Sequence, residues 1–124
     1  NALDMYREMY LATILQKLSL EDASALSGST VLRMATVNGA YAMGLENGDT
    51  LAVGKLADII RIDMKRPNMQ PAFHIVDNLV YSGSKENVKM TMVQGNILYE
   101  NGRFTNVDID DIIKKSQDIR SRIC

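Results

Sequence analysis

The stretch from Leu51 to Asp63, LAVGKLADIIRID, constrains the fold most because two different residue patterns meet there. A turn signal at Gly54-Lys55 separates a short apolar run, Leu51 to Val53, from an Ile-rich run, Ala57 to Asp63. Short β-branched runs bounded by turn residues predict strands. Helical spacing dominates before this stretch and hairpin-like patterns dominate after it, so the sequence predicts helices followed by a small sheet.

The first helix is predicted over residues 3–18, which contain no Gly or Pro and many helix formers. Its apolar residues form two adjacent stripes, which is more than the single face that a surface helix buries. We therefore expect this helix to be covered on more than one side. The first stripe is Leu3, Tyr6, Tyr10, Ile14 and Leu18, and the second is Met5, Met9 and Ala12.

A second helix is predicted to begin near Val31, with Ser29 or Thr30 as its N-cap. Both residues of Asn38-Gly39 favour left-handed backbone, so a kink or stop is expected there. Gly44 is the expected glycine just after the helix.

The C-terminal half predicts helical turns, a hairpin and a final helix. Residues 107–122 have an Ile stripe, aspartates in the first turn and arginines in the last, as the helix dipole favours. The chain would thus divide into a helical segment, residues 1–44, a β-subdomain, residues 45–106, and a C-terminal helix, residues 107–124. The helical turns are predicted within Phe73 to Ser82, and the hairpin strands are Val88 to Val93 and Ile97 to Glu100.

Composition excludes several classes of partner. The net charge of −1 and pI of about 5.8 give no basic field to attract nucleic acid or an anionic membrane. No apolar run approaches the roughly 20 residues of a membrane span, and the one cysteine cannot form an internal disulfide. We expect a cytoplasmic protein. The chain starts at Asn1-Ala2 without Met, which suggests a cut piece, with these two residues either native or left from an expression tag.

The titratable residues have structural interpretations that we prefer to catalytic ones. His74 is the one histidine, whereas a metal site needs three or four converging ligands, so we interpret it as a surface or loop residue. Asp58 and Asp63 flank an apolar strand and are expected on opposite faces, which disfavours an acid–base pair. Asp58 is expected to accept hydrogen bonds from the turn at Gly54-Lys55, and Asp63 to end the strand.

The other candidates are weaker still. Cys124 has no neighbouring base, Ser82-Gly83-Ser84 is favoured as a loop over an anion cradle, and Asp4 is interpreted as a first-turn helix acid. The glycines lack phosphate-binding spacing, and the eight methionines are expected to fill the core. The sequence therefore assigns no catalytic, cofactor-binding or metal-ligating residue to this chain.

Four blocks in order make the chain resemble the C-terminal portion of an amidohydrolase-superfamily enzyme, closest to the 5′-methylthioadenosine/S-adenosylhomocysteine deaminases and chlorohydrolase-like enzymes. The resemblance covers nearly the whole chain from Leu3. Asp49 departs from it, because the family usually has Gly there. The blocks are Leu3-Asp4-Met5 with Glu8-Met9; LRMAT and NGA between Leu32 and Ala40; Gly54-Lys55 with Ala57-Asp58-Ile59; and Gln70-Pro71 with Leu79 to Ser82 and Val93-x-Gly95.

The resemblance implies an α+β fold: terminal helices of a (β/α)8 barrel plus a small antiparallel β-subdomain and a C-terminal helix. The intact enzyme would bind a divalent metal, with zinc expected, through an HxH pair, two later histidines and a strand-eight aspartate. None of these can be placed in this sequence, and barrel active sites draw on loops from many strands.

The implied activity of the intact enzyme is hydrolytic deamination of adenosine-type substrates, to which this piece would contribute scaffold beside the rest of its own barrel. Two alternatives stay open: an independent structural or interaction module, and a chlorohydrolase-like or guanine-deaminase-like specificity. The isolated piece is expected to self-associate and to melt at the same temperature with or without metal.

Overall fold

The computed structural model describes residues 3–123. Its helices are α1 (Met5–Leu20), α2 (Gly28–Arg33), α3 (Gly39–Ala42), α4 (Ile75–Asp77) and α5 (Ile109–Ile123), and its strands are β1 (Ile59–Ile62), β2 (Val88–Val93), β3 (Asn96–Glu100) and β4 (Arg103–Phe104). Single π-helical segments, Met34–Asn38 and Asn78–Ser82, follow α2 and α4, and short 3₁₀ turns occupy Pro67–Met69 and Lys85–Asn87. No helix of the described part of the chain combines the length and hydropathy that a membrane crossing requires.

Helix α1 begins with a side-chain cap and buries one narrow seam. The Asp4 carboxylate accepts hydrogen bonds from the amides of Tyr6, at 3.1 Å, and Arg7, at 3.4 Å, so Asp4 is the N-cap and not a first-turn residue. Buried residues lie three and four positions apart, which is one side of a helix; they are Tyr6, Met9 and Thr13. Most of the two predicted stripes is exposed among the described residues, including Met5, Tyr10, Ile14 and Leu18.

The second helix begins earlier than predicted and ends, as predicted, just before Gly44. Its N-cap is Ser27, whose hydroxyl accepts from the Thr30 amide at 3.3 Å, and not Ser29 or Thr30. A kink or a stop was predicted at Asn38-Gly39; the stop does not occur, because Gly39 has helical angles of φ −61° and ψ −43°. A π-helical segment before Gly39 accommodates an extra residue without ending the helix. Gly44, at φ +71°, is left-handed just after the helix, as predicted.

The four strands form one antiparallel sheet in the order β1-β2-β3-β4. The predicted hairpin is confirmed: Gln94 and Gly95, at φ +48° and +79°, make the tight turn between β2 and β3. The sequence did not predict β4, which pairs with the end of β3 after the Asn101-Gly102 turn.

The predicted strand from Leu51 to Val53 is wrong. Its backbone forms turns that close locally, with the Lys55 amide donating to the Ala52 carbonyl at 3.1 Å. The Leu51 and Val53 side chains are exposed. A strand needs a neighbouring ladder, and this segment, without one, folds back on itself. The predicted strand from Ala57 to Asp63 shortens to β1.

The core is small and lies where α1, α2 and the Asn78–Ser82 segment meet. The 3₁₀ turn that contains Met69 packs against that same segment. We call this region the junction; it comprises Tyr6, Met9, Val31 and Val80 together with Met69, Asn68 and Asn87 in the adjoining loops. Most other large apolar side chains of the described residues are exposed. The chain therefore covers little of its own apolar surface.

Candidate functional surface

An apolar groove separates α1 from the second helix. It encloses about 520 Å³ and is lined by side chains from both helices. Glu8 is the one charged residue along it, so the groove suits apolar side chains and offers no acid–base chemistry. The lining residues are Met5, Glu8, Met9, Ala12, Val31, Met34, Ala35, Gly39, Ala42 and Met43.

At one end of α1, the Tyr6 hydroxyl is buried without a hydrogen-bond partner among the described residues. Burial raises the pKa of the Tyr6 hydroxyl, and the negative charge of Asp4 raises it further. The Tyr6 ring lies so close to Gly83 that a Cβ built there would be 2.7 Å from its Cδ1 atom. A buried hydroxyl without a hydrogen-bond partner is costly, because the group has lost its contacts with water.

Asp49 and Lys55 form an ion pair in the loop before β1, with the Lys55 ammonium 2.7 Å from the Asp49 carboxylate. Lys55 also donates to the Glu46 carbonyl at 2.8 Å. The hydrogen bond from Lys55 holds the pKa of Asp49 below its usual value, and the same bond raises the pKa of Lys55. Asp49 therefore holds the loop through Lys55, and it does so without a left-handed backbone.

Asp58 and Asp63 each serve the backbone, but the partner of Asp58 differs from the one predicted. The Asp58 carboxylate accepts from the Gln94 amide at 2.7 Å, in the hairpin turn, and not from Gly54-Lys55. The hairpin lies beside the start of β1, which brings that amide within reach. Asp63 ends β1 and accepts from the Lys65 amide at 3.0 Å, which lowers the pKa of Asp63 with help from Lys89. The structure does not bring the two carboxylates together in one site.

His74 is exposed at the N-cap position of α4, where its side chain makes no capping bond. Across residues 3–123, no three His, Cys, Asp or Glu side chains are close enough to hold a metal ion. The loop at Ser82-Gly83-Ser84 uses its amides internally: Gly83 donates to the Asn78 carbonyl at 2.8 Å and Ser84 to the Asn87 side chain at 2.9 Å. Cys124 lies outside the described residues.

The junction contains a polar cluster that was not predicted from the sequence. Asn68 and Asn87 exchange side-chain hydrogen bonds of 2.9 and 3.2 Å, and Asn87 is fully buried. The side-chain Nδ2 of Asn68 also donates to the Ser82 carbonyl at 2.7 Å. The one local signal was the spacing of Ser84 and Asn87, which form a capping box. The long-range partner leaves no trace in a single sequence.

Comparison with known proteins finds a matching family and similar relatives. Residues 1–98 match the amidohydrolase family. The 5-methylthioadenosine/S-adenosylhomocysteine deaminase of Desulfovibrio desulfuricans is 43% identical over 97% of this chain, and the 5′-deoxyadenosine deaminase of Methanosarcina acetivorans is 42% identical over 94%. The chain spans 27% of the length of each of these two relatives.

Solved structures extend the likeness to the fold. An adenosine deaminase from Xanthomonas campestris with bound zinc superposes with a TM-score of 0.92 at 30% identity, over 96% of this chain and 27% of that one. An atrazine chlorohydrolase from Arthrobacter aurescens complexed with zinc gives 0.83 at 23% identity, over 91% and 25%. These matches confirm the expected α+β class, with terminal barrel helices, a small antiparallel sheet and a C-terminal helix. The chain belongs to the amidohydrolase family.

Proposed function

We propose that this chain is the C-terminal, non-catalytic part of a metal-dependent deaminase that acts on adenosine-type nucleosides. The observation that carries the proposal is 43% identity to a methylthioadenosine/S-adenosylhomocysteine deaminase over 97% of the chain. The triazine-type structures, at 23% identity, support the fold alone and do not favour a chlorohydrolase.

The contribution of this segment is scaffold. Its α1 helix buries one seam against the junction and leaves apolar side chains exposed on both flanks, which supports a covering role for the remainder of a barrel. The groove between α1 and the second helix would take apolar side chains of that barrel. The partnerless Tyr6 hydroxyl would find its acceptor there as well. In the same proposal, residues 1–44 form the helical segment, 45–106 the β-subdomain and 107–124 the C-terminal helix.

The described residues do not fit a metal centre, because they bring together no set of three donor side chains. We therefore derive no catalytic step through a metal for this segment. In the whole enzyme we assign the metal, expected to be zinc, to residues outside this chain.

A chimera tests the proposal. This chain replaces the corresponding last quarter of the Desulfovibrio desulfuricans deaminase, and the product is assayed for zinc content and for ammonia release from methylthioadenosine, S-adenosylhomocysteine and 5′-deoxyadenosine. We expect a zinc-loaded enzyme that deaminates at least one of the three. A folded, zinc-loaded chimera that is inactive on all of them would overturn the assignment.

The isolated chain provides the second measurement. Zinc should leave its melting temperature unchanged within about one or two degrees, because a ligand stabilises a protein only where it binds the native state. A larger rise would reveal a metal site within this chain and contradict the scaffold role. Repeating the scan with magnesium controls for nonspecific effects of a divalent cation, and repeating it with excess chelator controls for trace metal.

A further inference from the structure

The sequence contains three Asn-Gly pairs, which are Asn38-Gly39, Asn47-Gly48 and Asn101-Gly102. In such a pair the backbone nitrogen of the glycine can attack the side-chain amide of the asparagine before it, because glycine has no Cβ to hinder the approach. The attack requires a glycine N–H that is free to turn and to lose its proton, and a hydrogen bond from that N–H opposes both. The backbone therefore decides which of the three pairs can react.

Two of the three glycine amides are engaged in hydrogen bonds. The Gly39 N–H lies in helical backbone and donates to the carbonyls of Met34 and Thr36. The Gly48 N–H donates to the Leu45 carbonyl at 2.9 Å. Turning either amide towards the preceding asparagine would break these bonds, and at Gly39 it would also interrupt the helix.

The Gly102 amide is in a different state. Asn101 and Gly102, at φ +47° and +89°, form the type I′ turn between β3 and β4. Among the described residues, the Gly102 N–H makes no backbone hydrogen bond. Rotation of the peptide group between Asn101 and Gly102 converts a type I′ turn into type II′, and the φ of Gly102 is the one that changes sign. Glycine tolerates both signs, so the nitrogen can turn towards the Asn101 side chain.

We propose that Asn101-Gly102 is a modification site, at which Asn101 converts without an enzyme to aspartate and isoaspartate. The Gly102 nitrogen gives its proton to hydroxide and bonds to the Asn101 Cγ. The bond from Cγ to Nδ2 then breaks, and the nitrogen takes a proton from water and leaves as ammonia. Water opens the resulting five-membered imide at Cγ, which gives aspartate, or at the backbone carbonyl, which gives isoaspartate. The inference is independent of the proposed deaminase role.

Isoaspartate at this position would alter the edge of the sheet. It adds one carbon atom to the backbone of a turn whose length fixes the strand register. The strand β4 pairs with β3 through two residue pairs, Tyr99 with Phe104 and Glu100 with Arg103, and the two aromatic rings are 5.1 Å apart. The new carboxylate also lies next to Glu100, which is the ion-pair partner of Arg61. Modification should therefore release β4 from β3.

The test incubates the folded 124-residue chain at mildly alkaline pH and follows each pair by peptide mapping with mass spectrometry, in which conversion adds about one dalton. Asn101 should convert at least about fivefold faster than Asn38 and Asn47, because breaking one protein hydrogen bond of ordinary strength lowers the reactive population by about that factor. In urea, which removes the folded backbone, the three rates should converge. Equal rates in the folded chain, or the same order of rates in urea, would overturn the proposal.

Asn101→Gln is the matched control variant. The chain already holds Gln followed by Gly in this turn geometry, since Gln94 and Gly95 have φ +48° and +79°. Glutamine would have to close a six-membered ring, so conversion at position 101 should fall below detection in the same incubation. Protection of β4 against hydrogen exchange should decline as the wild-type chain ages and stay constant in the variant. Conversion of the variant at the wild-type rate, or an equal decline in both chains, would contradict the assignment to Asn101.

Discussion

The junction and α5 are both apolar, yet the chain covers only the first of them. In the junction, Met69 and Val80 are 0% and 1% exposed. In α5 the best-covered isoleucine is still 41% exposed. In the sequence, the amphipathic pattern of α5 is clearer than the pattern of the helices in the junction. Such a pattern therefore identifies an apolar face of a helix, but it does not identify the element that covers that face.

The polar groups of the junction and of α5 also differ in burial. Asn87 sits fully buried in the junction and receives hydrogen bonds from Ser84 and Asn68. The charged residues of α5 are all exposed. An amide pair with one buried member and two mutual hydrogen bonds fixes one arrangement of the loops that carry it, whereas the exposed charges of α5 do not fix the position of that helix.

Met69→Ala, in the junction, should give the largest loss of stability. Removing a fully buried methionine side chain costs about 2–5 kcal/mol of unfolding free energy, because the cavity cannot collapse completely. The measurement is urea denaturation followed by circular dichroism. A variant that is already unfolded without urea would show an even larger loss of stability.

Met43→Ala is the matched control, because Met43 lines the open groove and is 70% exposed. Its expected cost is within about 0.5 kcal/mol. Equal losses in the two variants would show that the groove is closed in solution, by self-association or otherwise, and would remove the contrast between covered and uncovered regions.

Asn87→Ala should destabilise the chain by about 1–3 kcal/mol, because the substitution removes the hydrogen bonds that buried Asn87 makes with Asn68 and Ser84. Asn96→Ala removes an exposed asparagine at the start of β3 and should change the unfolding free energy by no more than about 0.5 kcal/mol. If both variants unfold at the same urea concentration, the Asn68–Asn87 pair does not hold the loops together.

Two glycines should respond to the same substitution with opposite signs. At Gly83, a Cβ would lie 2.5 Å from the Leu79 carbonyl oxygen and 2.7 Å from the Tyr6 ring, so Gly83→Ala should cost about 1–3 kcal/mol. At Gly39, the nearest atom is 3.4 Å away and the backbone is helical, so Gly39→Ala should stabilise by about 0.4–1 kcal/mol. Destabilisation at Gly39 would contradict the helical backbone and the open space described for this position.

The sequence predicted elements whose signals are local and missed those that depend on distant partners. The strand from Val88 to Val93 and the turn at Gln94-Gly95 were predicted correctly, because alternation and turn chemistry lie within a few residues. A kink or a stop was predicted at Asn38-Gly39, and the structure has no stop there, because a π-helical segment carries the helix through both residues.

The candidate site shows the same limit. Four short blocks were enough to predict the family, but the hydrogen bond from the Gln94 amide to Asp58 spans 36 residues and had no sequence signal. The buried pairing of Asn68 with Asn87 was missed for the same reason. Periodicity alone also did not show that Tyr6 is buried in the junction while Tyr10, Ile14 and Leu18 of the same stripe are exposed.

The pairing of Asp49 with Lys55 gives the smallest expected effect and the one with a defined pH window. Asp49 has a pKa lowered from 3.8, so its contribution is present above that pH and is lost as the pH falls through the lowered value. Lys55 has a pKa raised from 10.5, so its contribution is present below that pH and is lost as the pH rises further.

The melting temperature of the wild-type chain should therefore exceed that of Asp49→Asn by a constant, small difference between these two pH limits. Outside the limits, the two melting temperatures should converge. Added salt should narrow the margin, since the pair is near the surface. If the difference in melting temperature varies across neutral pH, a different titrating group stabilises the loop. The Asp49–Lys55 ion pair would then not be what holds the loop before β1 in place.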